Sequence, residues 1–171
     1  GTHQFTVDVP PPDLFSMTGP ADDTNDSTPD VTWAAAGGAT SYDVQIDNNS
    51  DCATPEQSTT GETGTTWTVP SALADAVYYV CVVAKDDAGN TRGASENGTK
   101  TVSIDTQVPG AFSVSGPTDP VADTTPGVTW GSSLGADKYD VKIDNNSDCA
   151  TPEASVTDVT GTSWTTTPAL T

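Results

Sequence analysis

Short stretches of alternating apolar and polar residues recur along the chain at regular spacing. In Tyr42–Ile46 the apolar residues Tyr42, Val44 and Ile46 alternate with polar ones, and in Tyr78–Ala84 every second residue is again apolar. This alternation is the period of a β-strand, and clusters of Gly, Pro, Asn and Asp separate the stretches as turns would. No helical period competes, so the chain is predicted to be all-β.

The spacing of these stretches predicts seven strands between Pro10 and Thr106, a number that is typical of a sandwich of two antiparallel sheets. The predicted strands are Leu14–Thr18, Val31–Ala35, Tyr42–Ile46, a short strand after Cys52, Thr65–Val69, Tyr78–Ala84 and Thr99–Ile104. Because side chains alternate between the two faces of a strand, Tyr78, Val80, Val82 and Ala84 are expected to face the core together.

The chain repeats itself at an offset of 97 residues without gaps. Trp33 corresponds to Trp130, since 130 − 33 = 97, and the run IDNNSDCATPE occurs at Ile46–Glu56 and again at Ile143–Glu153. Self-similarity at a fixed period indicates tandem structural units. The predicted fold is therefore a series of tandem seven-stranded antiparallel β-sandwich repeats of 97 residues.

The phase of the repeat predicts the domain boundaries. Residues 1–9 align with Gly98–Thr106 and are expected to form the last strand of a preceding repeat. Residues 10–106 then form a complete repeat, and residues 107–171 form a second, incomplete one that contains the first five strands. This pattern is interpreted as a window cut from a longer array. The alternative is that neighbouring chains supply the absent strands, as in donor-strand assembly.

The charge of the chain narrows the range of partners. Its formal net charge is −19, from 24 acidic against five basic residues. Such a surface repels nucleic acid and anionic lipid and attracts cations. Apolar runs of the roughly 20 residues that a membrane span requires are also absent from the sequence. The expected partners are neighbouring repeats or like chains in a fibre, with a glycan or host-surface ligand as a further candidate, and with neither nucleic acid nor membrane insertion.

The three cysteines fit the repeat. Cys52 and Cys149 are equivalent, whereas the equivalent of Cys81 would be position 178, beyond the end of the sequence. The predicted disulfide therefore joins Cys52 to Cys81, and by alternation Cys81 lies on the outer face of its sheet. A disulfide indicates an oxidising, extracytoplasmic compartment. The alternative is a pair of free thiols in a cytosolic protein.

Several segments together resemble the fibronectin type III and related immunoglobulin-like tandem repeats of large bacterial surface proteins, which are adhesin-like. These segments are VTW, SYDVQI, TTWTV and YYVCVVAKDDAGN. Leu73 ahead of Tyr78 is similar to the tyrosine corner of that family. The resemblance implies a β-sandwich with Trp33 and Trp130 in its core.

One group of oxygen-bearing side chains is a candidate calcium site on the basis of its spacing. Asp47, Asn49 and Asp51 occupy alternate positions, as ligands do at the opening of a calcium-binding loop. The simpler interpretation is a turn, because Asn and Asp tolerate left-handed backbone.

A second calcium site is implied by the resemblance to adhesin repeats that hold calcium between domains. It would be formed by Asp87, Asn90 and Asp105, with Asp8 at the preceding junction. A purely structural turn is again the alternative. Candidate N-glycosylation sequons begin at Asn25, Asn48, Asn97 and Asn145.

Catalysis is not expected, since the single histidine, His3, has no sequence partner that suggests a catalytic arrangement. The sequence and the resemblance together predict a non-enzymatic structural segment of an extracellular bacterial surface protein or filament, rigidified by calcium. The alternative is a non-catalytic spacer or carbohydrate-binding module of a secreted polysaccharide-degrading enzyme. Trp67 and Trp164 would then stack on sugar.

Overall fold

The computed structural model describes residues 1–4, 7, 10–94, 99–118, 122–167 and 169–170. The chain divides into two compact units, Gly1–Thr106 (the first unit) and Gln107–Thr171 (the second unit). The regular elements of the described residues are β-strands without a helix, which confirms the all-β prediction. In this described part there is accordingly no helix with the length and hydropathy to cross a lipid bilayer.

The first unit is a sandwich of two sheets. Its described strands are β1 (Met17–Gly19), β2 (Asp23–Thr24), β3 (Asp30–Trp33), β4 (Ser41–Asp47), β5 (Gln57–Glu62), β6 (Thr66–Thr68), β7 (Ala76–Lys85), β8 (Thr91–Gly93) and β9 (Thr99–Ile104). One sheet has the order β1-β3-β6, and the other has the order β2-β9-β7-β4-β5 with β8 also paired to β7. The strand segments outnumber the seven predicted because β2 and β8 were not expected.

The second unit repeats part of this arrangement. Its described strands are β10 (Val114–Gly116), β11 (Gly127–Trp130), β12 (Tyr139–Ile143), β13 (Ala154–Val159) and β14 (Ser163–Thr165). They form one sheet of order β10-β11-β14 and a second sheet of β12 and β13. Each strand lies at the 97-residue offset from β1, β3, β4, β5 or β6.

Alternation along β4 and β7 builds the core of the first unit. In β7, Tyr78 is 4% exposed while Val80, Val82 and Ala84 are fully buried. The residues between them face the other way and are half-buried, as the sequence pattern predicts. The hydroxyl of Tyr78 donates a hydrogen bond to the carbonyl of Ala74 at 3.1 Å, which ties the start of β7 to the preceding loop as in a tyrosine corner.

Tyr42 lies at the centre of the aromatic part of the core. The rings of Phe15 and Trp33 contact the ring of Tyr42, with centroids 5.8 and 5.3 Å away. The hydroxyl of Tyr42 accepts a hydrogen bond from the backbone N–H of Ala36 at 2.9 Å, so its polar end is satisfied inside the sandwich. Trp33 and Trp130 are both buried, as the resemblance implied.

The first predicted strand, Leu14–Thr18, is observed only in part, as β1, and the chain then crosses to the other sheet as β2. β1 pairs antiparallel with β3, and after a cis Gly19–Pro20 bond β2 pairs with β9 in the parallel direction. A Cβ on Gly19 would lie 2.6 Å from the Thr32 hydroxyl oxygen, so only glycine fits where the chain leaves the first sheet. The expectation of purely antiparallel sheets is therefore wrong at this pair.

Two other predicted strands differ in position. The short strand expected after Cys52 is β5, which is six residues long and begins at Gln57. The strand predicted for residues 1–9 is not observed in the described residues there, Gly1–Gln4 and Val7. Phe5, Thr6, Asp8 and Val9 lie outside the described residues.

Candidate functional site

A disulfide joins Cys52, in the β4–β5 connection, to Cys81 in the middle of β7. Their Cα atoms are 6.5 Å apart, and the bond closes a separation of 29 residues. Cys81 lies opposite Gln45 on β4 and points away from the core face of β7. The bridge therefore fastens the β4–β5 connection to the outer face of the sheet. Closing a loop of this size contributes about 3.5 kcal/mol.

The β4–β5 connection folds around carboxylates that accept hydrogen bonds from its own backbone. Asp47 is fully buried and accepts from the N–H of Asn49 at 2.8 Å and from that of Thr54 at 3.0 Å. Asp51 accepts from the N–H of Ala53 at 3.1 Å. Backbone donors in a partly buried turn need such partners, and Asp47 accepts hydrogen bonds from two of them at once. Asp47 is therefore part of the turn that the simpler interpretation described.

The same turn forms in the second unit from the repeated run of residues. Asp144 accepts from the N–H of Asn146 at 2.8 Å and from that of Thr151 at 3.1 Å. Asp148 likewise accepts from the N–H of Ala150 at 3.1 Å. Since the contacts recur where the surroundings differ, the local sequence is enough to determine this turn.

The hairpin after β7 is closed by Asp86, the residue before the predicted calcium ligand Asp87. The two carboxylate oxygens of Asp86 accept from the backbone N–H and the side-chain amide of Asn90, both at 2.8 Å. The amide hydrogen bond, followed by several backbone N–H groups of the turn, lowers the pKa of Asp86. Asp87 is exposed to solvent. An acidic residue four positions before Asn90, across an Ala-Gly turn, was the sequence signal for this cap.

The structure does not bring Asp105 to Asp87 and Asn90. Ile104 lies opposite Ala76, so Asp105 follows β9 at the beginning of β7, whereas Asp87 and Asn90 follow its end. Ten residues of strand separate these ends by about 30 Å. The fourth predicted ligand, Asp8, lies outside the described residues. These residues therefore do not fit one calcium site within the first unit.

The described residues also contain no group of three or more His, Cys, Asp or Glu side chains that is arranged to hold a metal ion. In the predicted loop site, Asp47 and Asp51 already accept backbone hydrogen bonds, and Asn49 donates to Asp47. Calcium binding at either place stays a prediction.

Three of the four candidate glycosylation asparagines lie on the surface. Asn25, Asn48 and Asn145 are exposed, while Asn97 lies outside the described residues. Their glycosylation stays a prediction.

The tryptophans proposed as sugar platforms are placed differently from the asparagines. Trp67 and Trp164 are half-buried and pack against the cores of their units. Their role as sugar platforms stays a prediction.

Comparison with known proteins gives one family and two similar structures. The model of the family described as "Bacterial Ig-like domain" matches residues 13–106. No curated protein matches the chain. The central fibronectin-III array of RIM-binding protein is similar at 14% identity and a TM-score of 0.37, over 95% of this chain and 54% of that one. This chain thus spans about half of that array's length.

The second similar structure is a segment of two fibronectin type III domains from chicken tenascin. It has 17% identity and a TM-score of 0.37, over 94% of this chain and 85% of that one.

Proposed function

Since the chain belongs to the bacterial Ig-like domain family, a family of structural and typically non-catalytic domains, we propose that it is a structural repeat segment of an extracellular bacterial surface protein or filament. The observation that carries the proposal is the disulfide between Cys52 and Cys81. Disulfides persist in oxidising compartments and are rare in the cytosol. Its position on the outer face of a sheet makes it accessory to the core and useful against mechanical or proteolytic opening.

The work of such a segment is mechanical. β4 and β7 pair over seven consecutive positions, from Ser41 opposite Lys85 to Asp47 opposite Tyr79. The disulfide links the same two regions covalently, so β7 stays attached to the β4–β5 connection when the strands are pulled or cut. The net charge of −19 keeps neighbouring copies of an extended protein dispersed in solution.

The proposal is tested on protein taken from its natural source without reduction. Alkylation followed by mass spectrometry is expected to leave Cys52 and Cys81 unmodified until a reductant is added. Protease added to intact cells is expected to remove the protein from the cell fraction. Alkylation of Cys52 and Cys81 before reduction, or survival of the protein on intact but not on lysed cells, would refute the extracellular assignment.

Calcium rigidification is a separate part of the proposal. The acidic surface supports it, because dense negative charge attracts divalent cations. Melting is compared in calcium and in chelator, for the natural chain and for Asp87→Asn, with Asp144→Asn as a matched change in another loop. A stabilisation by calcium that Asp87→Asn alone removes would support a site at the hairpin. Identical melting in calcium and chelator would eliminate it.

A further inference from the structure

The strand β6 lies at one edge of the three-stranded sheet of the first unit. Among the described residues it pairs with β3 alone, and the equivalent strand of the second unit, β14, likewise pairs with β11 alone. The chain is described continuously from residue 10 to residue 94, so the segments on both sides of β6 are in place. The open edge of β6 is therefore a property of the repeat.

The hydrogen bonds of β6 show which backbone groups lie on its open side. Val69 donates its N–H to the carbonyl of Pro29 at 3.2 Å, and the carbonyl of Thr65 accepts from β3 at 3.1 Å, so the pairing extends beyond each end of β6. In an antiparallel pair, residues that bond across the pair alternate with residues whose backbone groups point away. The N–H and C=O groups of Thr66 and Thr68 therefore point to the open side.

The edge formed by β6 is uncharged. Residues 63–69 read TGTTWTV, and the equivalent residues 160–166 read TGTSWTT. Neither stretch contains a charged residue or a proline, although the net charge of the chain is −19. Like charge keeps copies of the chain apart over most of their surface. Two copies can therefore approach each other most closely at these uncharged edges.

The other described edges of the first unit carry features that discourage pairing. β5 is bulged beside Gly61, whose φ is +76°. β1 is bulged just before Gly19 and is followed by Pro20, which has no N–H. β2 is two residues long and begins with Asp23, and β8 carries Arg92. Bulges, proline and charge protect the edges of natural sheets, whereas β6 has none of them and a regular register with β3.

A tryptophan lies in the middle of each uncharged edge. Trp67 is half-buried against the core, and its neighbours Thr66 and Thr68 are exposed. Trp164 is placed in the same way in β14. The uncovered part of each ring is apolar area next to an open backbone edge. Aromatic side chains that lie opposite each other across two strands stabilise the pairing of those strands.

We propose that the edge of β6 pairs antiparallel with the same edge of a second copy of this chain, in a register centred on Trp67. Thr66 of one copy then lies opposite Thr68 of the other, and each such pair exchanges backbone hydrogen bonds in both directions. The two Trp67 residues lie opposite each other. Shifting the register brings Pro70, which lacks an N–H, or Gly64, which lies in a bend, opposite β6.

The edge of β14 is equivalent and pairs in the same way. This pairing gives the proposed filament a means by which like chains associate. It concerns the surface of one unit and not the compartment of the protein. Alkylation of the cysteines and the association experiment below therefore test the two proposals separately.

The first test is sedimentation equilibrium of the full chain over a range of concentrations, in which the natural chain is expected to associate reversibly. The edge variant carries Thr66→Lys, Thr68→Lys, Ser163→Lys and Thr165→Lys. Lysines of two copies then lie directly opposite each other, where like charges destabilise a strand pair. We expect the association constant to fall at least about tenfold, although the variant has less net charge to keep copies apart.

A charge-matched variant tests the register. Thr66→Glu with Thr68→Lys, and Ser163→Glu with Thr165→Lys, place each introduced glutamate opposite an introduced lysine of the other copy. This match occurs in the register centred on Trp67, whereas a shift in either direction places like charges opposite each other. Association is expected to return to within about threefold of that of the natural chain.

A control variant changes the charge by the same amount at the other edge of each sheet. It carries Ser16→Lys, Thr18→Lys, Ser113→Lys and Ser115→Lys, all at exposed positions. Its association constant is expected to lie within about threefold of the natural value, since these residues are outside the proposed contact. An equal loss of association in the control and the edge variant would overturn the proposal.

Hydrogen exchange of single amides in the natural chain tests the contact without a substitution. The N–H groups of Thr66 and Thr68 are expected to exchange more slowly as the chain associates, because they become paired. The N–H of Trp67 is protected by β3 at every concentration, and in the variants it reports that β6 is still folded. Association that leaves exchange of Thr66 and Thr68 unchanged would overturn the proposal.

Three results of the sedimentation experiment would also overturn it. They are a natural chain that stays monomeric at every concentration, an edge variant that associates as strongly as the natural chain, and a charge-matched variant in which association does not return.

Discussion

The two units contain the same first five core strands, yet their interiors differ. The hydroxyls of Tyr42 and Tyr139 each accept a hydrogen bond from the backbone N–H of the residue six positions earlier. Each tyrosine ring also contacts a Phe ring and a Trp ring. Around Tyr42 the apolar residues of β4 are fully buried, whereas those of β12 are only half-buried. The local contacts therefore form without β7, and complete burial requires it.

This difference distinguishes stabilisation by local hydrogen bonds from stabilisation by burial of apolar side chains. The aspartate-capped turn and the tyrosine hydrogen bond connect residues that are near in sequence, and they are the same in both units. Burial of Val44 and Ile46 depends on β7, which begins at least 30 residues later. Because burial of apolar area provides most of the free energy of folding, the first unit is expected to be the more stable. Hydrogen exchange resolved by peptide measures each unit in the same sample.

The largest expected effect comes from matched phenylalanines. Phe15→Ala should lower the free energy of unfolding of the first unit by about 3–4 kcal/mol, because it leaves a cavity among fully packed residues. Phe112→Ala should cost the second unit less than about 1.5 kcal/mol, because half of that ring is already in water. Hydrogen exchange of each unit in the two variants is the measurement. Equal losses would mean that the second unit is closed in solution.

Removal of the disulfide should come next. Cys52→Ala with Cys81→Ala is expected to destabilise the first unit by about 3.5 kcal/mol, mainly because the unfolded chain gains freedom. Cys149→Ala is the control, and it should leave both units within about 0.5 kcal/mol of the natural chain. Denaturant midpoints provide the comparison. A double variant as stable as the natural chain would show that the bridge has no structural role.

Asp47 and Asp144 occupy equivalent positions in the same turn but differ in burial, so their variants separate the effect of burial from that of local geometry. Asp47→Ala empties a fully buried side-chain position and leaves the N–H groups of Asn49 and Thr54 without acceptors in a partly buried turn, so it should cost about 2–3 kcal/mol. Asp144→Ala removes the same bonds where water reaches them, and should cost less than about 1 kcal/mol. Thermal melting followed by exchange of the turn amides measures both. The prediction fails should the two costs be the same.

A smaller change, which raises stability instead of lowering it, is expected at one position where the two repeats have different residues. Thr166 of the second unit is fully buried, and its hydroxyl has no hydrogen-bond partner among the described residues; the equivalent residue in the first unit is Val69. Thr166→Val should therefore stabilise the second unit by about 1 kcal/mol. The reverse change, Val69→Thr, should destabilise the first unit. Stabilisation by both changes, or by neither, would contradict this account of the hydroxyl.

The smallest effect is the pH dependence that Asp86 gives to the first unit. The side-chain amide of Asn90 holds the pKa of Asp86 below its ordinary value in the folded state. Its stabilisation is therefore complete above the unfolded pKa of about 3.9 and is lost as the pH falls through the lower, folded pKa. Asp86→Asn should flatten the loss of stability of the first unit below about pH 4. Denaturant midpoints of the variant and the natural chain are measured as the pH is lowered through this range. A steeper loss of stability in the variant would contradict the prediction.

The sequence predicted much of the fold because its strongest signals are local or periodic. Alternation of apolar residues determined which faces of β4 and β7 are buried. The 97-residue offset placed equivalent strands in both units, and the family match agrees with the β-sandwich expectation. The sequence also indicated the capped turns, since each aspartate and the N–H groups from which it accepts hydrogen bonds lie within seven residues.

What only the tertiary structure decided concerns contacts between residues far apart in the chain. Gly19 lies close to Thr32 where the chain leaves the first sheet, and β2 then pairs with β9 in the other sheet. No local period encodes this crossing. The pairing of β9 with β7 places Asp105 at one end of the sheet and Asp87 at the other, so a ligand set assembled from the resemblance is separated in space. A strand's register depends on the sum of its long-range contacts. The residues that meet at its ends are therefore known only once the sheets are built.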